Sequence, residues 1–358
     1  MDKLKTLLKQ IYGLEDTAEK KLEWKKIAYG MAGSNFEIII NGQTKYFFKI
    51  VPLTKQEINK NLKVSALMQM NNIEVTMPLP SLKGNLYELD DEGKVCLLYN
   101  FIKGVRFLEV DISKKEKAIK TIAKNLARLH IAGSNILDSR IPKIKESRVL
   151  QNFKINKLKR KELISEFKND SKKILDKINT DSMEDIIHDK NKQILAMKDY
   201  FIDNNIYKLT QKDINSNQAI LHGDYHEDNI IFDDQGELVK IIDWDNCIKF
   251  NIGWEIFYTI YSCCYQKDFT NIDNNLDLLF IRSYREVNPI SAKDLEIGYK
   301  LWLNFNILSL WFLESYYVKN AYRCPNYILT NFNNLTFLMN NQDIFQERFA
   351  KYFYQDSI

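Results

Sequence analysis

Leu221-His222-Gly223-Asp224-Tyr225-His226-Glu227-Asp228-Asn229-Ile230-Ile231, followed by Lys240-Ile241-Ile242-Asp243-Trp244, is the stretch on which the reading of this chain turns. An apolar run enters a polar loop, and the loop leads into two predicted strands, Asn229–Phe232 and Leu238–Ile242, joined by the turn Asp233-Asp234-Gln235-Gly236. Asp224 and Asn229 are five positions apart, and Asp243 lies nineteen beyond Asp224. The hairpin is expected to bring Asn229, at the start of one strand, beside Asp243, just past the end of the next, with both side-chain oxygens facing one cation. Alone, the His-Gly-Asp string reads as a polar loop with an Asx turn. Joined to the Asn spacing, the hairpin and the apolar-Asp-Trp ending, it reads as a site.

Phosphoryl transfer asks for such a set. Its transition state is loose, so a catalyst mainly positions groups and neutralises charge. Magnesium takes oxygen ligands and keeps part of its shell for water and phosphates, so one carboxylate and one amide oxygen, those of Asp243 and Asn229, suffice as anchors. A carboxylate a few residues before Asn229, that of Asp224, can accept or orient the proton of an attacking hydroxyl.

Composition narrows the class. With 358 residues and 45% hydrophobic content the chain can bury a real core. A 12% aromatic share with only 12 Gly and 6 Pro argues against disorder. The 51 basic and 47 acidic residues are scattered and leave a net charge of +4, no footprint for nucleic acid. Five cysteines, without a C-x-x-C pair, cannot all pair within one chain and fit a reducing cytoplasm. Leu4, Leu7, Leu8 and Ile11 recur at helical spacing instead of forming a signal-peptide core. The apolar stretch Leu301–Leu313 is broken by Asn304, Asn306 and Ser309 and is too short for a bilayer, so no membrane partner is expected.

Upstream of the loop, Trp24–Tyr29, Phe36–Ile40 and Lys45–Val51 read as strands, with Asn41-Gly42 as a type I′ hairpin turn. Gln56–Met70 reads as a helix burying Ile58, Leu62, Ala66 and Met70. Two further strands, Leu86–Leu89 and Val95–Phe101, flank the turn Asp90-Asp91-Glu92-Gly93. Helical patterns dominate from Ile119, through Ile122, Leu126, Leu129 and His130. The Lys-, Asp- and Asn-rich region from about 142 to 218 carries Ile155, Leu158, Leu163, Ile164 and Phe167 at helical spacing, which favours surface helices over a disordered insert. Residues 254–353 form aromatic-rich helices.

The chain resembles the aminoglycoside phosphotransferase and choline kinase-like superfamily in the H-G-D…N…apolar-apolar-Asp-Trp run. The resemblance extends to the loop Tyr29-Gly30-Met31-Ala32-Gly33-Ser34-Asn35-Phe36, Lys49, the segment Leu98-Tyr99-Asn100-Phe101-Ile102-Lys103-Gly104, and a helix ending in Ala127-Arg128-Leu129-His130. It implies an α+β, two-lobed protein-kinase-like fold with a small antiparallel-sheet N-lobe over 1–98, a hinge over 99–104 and a larger, mainly helical C-lobe over 105–358. That C-lobe would hold the catalytic loop 221–229, the helical insert at about 142–218 and C-terminal acceptor-binding helices. By the same resemblance Asp224 looks like the catalytic base, Asn229 and Asp243 like magnesium ligands, and Lys49 like the partner of the nucleotide α- and β-phosphates. Gly33, Ser34 and Asn35 would bring backbone over the phosphates, and the backbone of Leu98, Tyr99, Asn100 and Phe101 would hold adenine. Without the family, Lys49 reads equally well as a solvated edge lysine.

One departure stands out. Asn61 occupies the helix position where these kinases usually carry the glutamate that holds the lysine, and Glu57, one turn earlier on the same face, is the candidate replacement. Gly223 before Asp224 and the triplet Asp243-Trp244-Asp245 set the chain apart from protein kinases, which carry Arg and D-F-G there. The implied reaction is therefore transfer of the γ-phosphate of ATP or GTP to a hydroxyl of a small substrate. An aminoglycoside or other antibiotic, choline or ethanolamine, homoserine and a thioribose all fit. The rival is a non-catalytic nucleotide-binding or spore-coat-like structural protein on the same fold. Rings such as Trp254, Tyr258, Tyr261 and Trp302 read either as helix core or as an acceptor surface, and Glu255 and Glu314 are acids that could attract a cationic acceptor. His222 is expected to hold the loop by hydrogen bonds, and Asp245 stays open between a second cation site and a loop acid.

Overall fold

The alternation of β3, Gln43–Val51, organises the first part of the chain. Tyr46, Phe48 and Ile50 point to one face of the sheet, into a core with Leu4, Leu7, Leu8 and Ile11 of the amphipathic helix α1, Lys3–Tyr12. Val51 points to the other, where it meets Leu97 and Ile58 of α2, Lys55–Met70. With period two, Lys49 shares the α2 face. This is a computed structural model, and it describes residues 3–27, 33–136, 157–180, 186–204, 209–318, 325–341 and 343–355. The loop residues Tyr29–Ala32, Ile155 and Cys324 lie outside the described residues, as does the predicted end of the strand Trp24–Tyr29.

The described residues fall into two compact units. The first runs to Lys114 and takes in Asp228–Cys247. Its antiparallel sheet has the order β1-β2-β3-β5-β4, from β1 (Leu22–Ile27), β2 (Ser34–Ile40), β3, β4 (Glu88–Leu89) and β5 (Val95–Asn100). Asn41 and Gly42 have φ of 50° and 76°, as the predicted turn requires. A second, three-stranded sheet joins β6 (Val105–Arg106), β8 (Ile230–Phe232) and β9 (Leu238–Ile241) in the order β6-β8-β9. Its β9 is tied to the segment after α2, since the Ile241 N–H donates to the Glu74 carbonyl at 2.7 Å and Lys240 pairs with Glu74. These pairings join the hairpin to the first unit.

Helix α2 forms as expected, but its buried stripe is Ile58, Asn61, Val64, Ser65 and Met68, and Met70 is 78% exposed. Four-residue steps drift by about 40° each around a helix of 3.6 residues per turn, so the expected Ile58-Leu62-Ala66-Met70 row rotates off the core. The true stripe steps by three and four along Ile58, Asn61, Ser65 and Met68, with Val64 beside it.

The second unit comprises Lys115–Asn135 and the described parts of Glu146–Glu227 and Ile248–Ile358. Helix α3, Lys115–Asn135, packs on the strand β7, Gln218–Leu221, where an added Cβ on Gly133 would land on the Ile220 carbonyl. β7 pairs antiparallel with β10, Ile248–Asn251, which leads straight into the helix Ile252–Thr259. Within the predicted insert, Lys157–Thr180 and Ile186–Asp203 are helices, and Phe167, Ile174 and Ile178 are buried. Among the described residues, no helix is long and apolar enough to cross a membrane.

The helices Ile252–Thr259 and Ala292–Leu308 approach so closely that Gly253 and Gly298 face each other, and a Cβ built on Gly298 would collide with the Gly253 carbonyl. Gly298→Ala is therefore expected to destabilise the protein by about 1–3 kcal/mol, as overpacked cores do. Urea unfolding midpoints of the variant and parent measure this, and an unchanged midpoint would contradict the contact.

Candidate active site

The strand pair β8–β9 sets two of the expected residues side by side within the first unit. Ile230 pairs with Ile241, and the Ile242 N–H donates to the Asn229 carbonyl at 3.0 Å. Asn229 is 7% exposed. Asp243 then leaves the strand with φ 62° and ψ 64°. A non-glycine residue in this region costs of order 1 kcal/mol or more. The buried indole of Trp244, whose Nε1 donates to the Ile241 carbonyl at 3.3 Å, helps hold the turn.

Lys49 reaches this turn from β3. Its Nζ lies 2.8 Å from Asp243 Oδ1 and 2.6 Å from Asp245 Oδ2, and its side chain is only 12% exposed. Burial alone would pull the ammonium below its ordinary pKa, but the two carboxylates outweigh it and hold it above. The solvated-edge reading of Lys49 therefore fails.

Glu57 does not hold the lysine. It closes a capping box at the start of α2, accepting from the Thr54 N–H at 2.8 Å and from the Thr54 hydroxyl at 2.6 Å. Its place at the third helical position commits it to the N-cap. Asn61 clamps the turn instead, donating from Nδ2 to the Asp245 carbonyl at 3.3 Å, and Lys60 Nζ donates to the Cys247 carbonyl at 3.1 Å.

The other expected nucleotide contacts also lie in this unit. Ser34 and Asn35 open β2 opposite Ile50 and Lys49, and a Cβ on Gly33 would strike the Ile50 carbonyl. In the expected adenine segment the Leu98 carbonyl accepts from the Leu79 N–H at 2.6 Å, and the Phe101 N–H donates to the Lys45 carbonyl at 2.9 Å. Tyr99 and Asn100 lie in β5 opposite Phe47 and Tyr46.

Asp224 belongs to the second unit, on the loop after β7. Gly223 adopts φ 82°, which suits glycine, and the buried His222 accepts the Asp224 N–H on Nδ1 at 3.3 Å. One face of the helix Ile252–Thr259 and of the π-helical turn Ile260–Cys264 that continues it holds the loop residue by residue. The Glu255 carboxylate accepts the Gly223 N–H, and its other oxygen is 3.0 Å from His130 Nε2. The Tyr258 hydroxyl donates to Asp224 Oδ1 at 2.6 Å. Thr259 Oγ1 donates to the Tyr225 carbonyl at 2.9 Å, and Ser262 Oγ donates to Glu227 Oε2 at 2.6 Å. Lys267, at φ 62°, pairs with Glu227 Oε1 at 2.7 Å.

Burial would raise the Asp224 carboxyl, but the His226 imidazole and the Tyr258 hydroxyl hold it well below the usual carboxylate range. Burial likewise opposes the charge on His226, and Asp224 at 3.5 Å and Glu227 at 3.7 Å overcome it and raise its pKa. Asp224 is thus ionised at neutral pH and fitted to accept a proton or orient a hydroxyl.

The expected acceptor role of Glu255 is not met, because the side chain is fully buried and committed to Gly223 and His130. Trp254 and Trp302 are 2% and 3% exposed, so these rings are core. The sequence reading missed the loop-gripping roles of Glu255, Thr259 and Ser262. Their i, i+4 and i+7 spacing was a usable signal. Asn229 and Asp243 carry the hard oxygen atoms that a divalent cation takes, and the strand pairing sets their backbones next to each other.

A small antiparallel sheet with a lysine on its third strand, and a helical unit carrying an H-G-D loop, define a kinase-like phosphotransferase. A model of the phosphotransferase enzyme family (APH) matches residues 23–285, and the chain belongs to that family. It is a phosphotransferase with an alcohol group as acceptor. The structure is similar to that of a spectinomycin phosphotransferase in complex with ADP and spectinomycin, with a TM-score of 0.61 and 17% identity over 92% of this chain and 96% of the other. It is also similar to an amicoumacin kinase in complex with AMP-PNP and Ca2+, with a TM-score of 0.57 and 14% identity over 92% and 90% of the chains. A microcompartment-associated aminopropanol kinase gives a TM-score of 0.59 and 10% identity over 94% and 97%. No protein of curated function matches the chain in sequence.

The raised His226 pKa means that the folded state holds this proton more tightly than the unfolded chain, for which a histidine titrates near about 6.5. Its stabilising contribution is complete below that pH and is lost as pH rises through the folded value. Asp224 and Glu227, both held low, contribute above about pH 4 and lose that contribution as pH falls. Stability is therefore expected to decline on the alkaline side of about pH 6.5, and His226→Asn to flatten that decline. Thermal midpoints from pH 5 to 9 test this, and parallel curves for the two proteins would refute it.

Proposed function

We propose that this chain transfers the γ-phosphate of ATP or GTP to a hydroxyl of a small molecule, in the cytoplasm, with Asp224 as the catalytic base. The observation that carries the reading is the half-buried Lys49 ammonium lying 2.8 Å from Asp243, with Asn229 beside that turn on the paired strand. A phosphate-pairing lysine beside two oxygen ligands is the arrangement that a metal–triphosphate requires.

Asn229 and Asp243 would hold magnesium, which when bound supplies charge neutralisation for the phosphates. Lys49 contributes a compact positive charge for the α- and β-phosphates, and Asp245 keeps it oriented once Asp243 is engaged elsewhere. Gly33, Ser34 and Asn35 supply backbone near the phosphates, and Leu98 to Phe101 supply the adenine contacts. Asp224, ionised and held by Tyr258 and His226, orients the acceptor hydroxyl and takes its proton. Kinases for spectinomycin, amicoumacin and aminopropanol share the fold, which supports a small acceptor. The buried free cysteines Cys96, Cys247, Cys263 and Cys264 fit a reducing compartment.

A phosphate-transfer screen with ATP and GTP against aminoglycosides, macrolides, choline, homoserine and methylthioribose is expected to reveal a magnesium-dependent reaction. Asp224→Ala should abolish it while nucleotide binding persists. Binding without turnover across the panel would leave the structural-protein reading in its place. Asp245→Asn is expected to lower kcat/KM for the nucleotide by about tenfold, and an unchanged value would show that Asp245 does not orient Lys49.

A further inference from the structure

The helix face that grips the loop meets four loop residues in chain order. Glu255, Thr259 and Ser262 take Gly223, Tyr225 and Glu227, and each of those contacts satisfies a backbone group or a carboxylate away from the reacting atoms. Tyr258 differs, because its partner is the Asp224 carboxylate itself, at 2.6 Å. Its ring is fixed independently of that contact. It stacks on Trp254 one turn earlier, with centroids 5.5 Å apart and planes 15° apart, and Trp254 is in turn wedged edge-on against Phe250 and Phe305. His226 closes the other side, its ring 6.3 Å from Tyr258 and its Nε2 3.5 Å from the same Asp224 oxygen.

We propose that Tyr258 is a positioning residue for phosphoryl transfer, whose hydroxyl, held rigid by the Trp254 stack, fixes the Asp224 carboxylate in the orientation that receives the acceptor hydroxyl. The inference rests on the assignment of Asp224 as base. Packing does not require the hydroxyl, since a phenylalanine would keep the stack. The oxygen is needed only where it meets the carboxylate. Two effects oppose each other in a variant lacking it: the carboxylate becomes more basic, and it loses its orientation. In a loose transition state little proton transfer accompanies phosphorus–oxygen bond change, so orientation governs the rate.

The test uses the full chain and single-turnover hydrolysis of Mg-ATP and Mg-GTP, with water as acceptor. Tyr258→Phe is expected to lower the hydrolysis rate about ten- to a hundredfold, the size of one hydrogen bond to a charged group, with nucleotide affinity by fluorescence titration unchanged. Unchanged affinity also certifies that the variant is folded. In an Asp224→Asn background the same substitution should cause no further loss, because the two residues act as a unit. A Tyr258→Phe rate equal to that of the parent would overturn the proposal, as would an undiminished loss in the Asp224→Asn background. Full hydrolysis by Asp224→Asn alone would instead remove the base assignment on which the proposal stands.

Discussion

A loop that presents a reactive carboxylate has its backbone half buried, and each buried N–H and C=O must find a partner. Here the Asp224 N–H finds His222 within the loop, and one helix face takes two further backbone groups and a carboxylate. Glu255 takes the Gly223 N–H, Thr259 takes the Tyr225 carbonyl, and Ser262 takes the Glu227 side chain. In a low-dielectric setting such bonds are stiff, and losing one leaves an unsatisfied group at high cost. The helix is fixed in turn by the Gly253–Gly298 approach and by the rings of Phe257, Tyr299, Trp302 and Phe345 packed at centroid distances near 5 Å. The aromatic richness of the C-terminal helices thus serves the catalytic loop through rigidity.

In the other unit one ammonium, Lys49, meets two carboxylates, Asp243 and Asp245. The left-handed conformation of Asp243 aims its carboxylate out of the strand, and Asn61 and Lys60 pin the backbone beyond it. Asn61 of α2 holds the turn by its backbone, and the acids that meet the lysine come from the turn itself.

Much of the fold was legible in the chain. The Asn41-Gly42 turn, the strands around it, a helix through His130, which runs on to Asn135, and the hairpin after Asn229 all follow from local rules of turn chemistry and periodicity. The pairing that sets Asn229 next to the Asp243 turn was legible because it depends on one short hairpin. The role given to Glu57 was wrong because helix spacing reports which face a residue shares and says nothing of a competing partner three residues away, here Thr54. Lys198 is a second instance. A lysine on a polar helix reads as surface, yet it is 1% exposed and donates to the carbonyls of Asn306, Ile307 and Ser309 at the end of another helix.

Local sequence, then, determined the elements, the phosphotransfer motif and the identities of the groups that could bind a metal and a phosphate, since each is encoded within about twenty residues. Tertiary structure alone decided which acids meet Lys49, which helix face holds the Asp224 loop, and that Tyr258 touches the Asp224 carboxylate. Those contacts join residues 32 to 196 positions apart, and only packing brings such distant segments together.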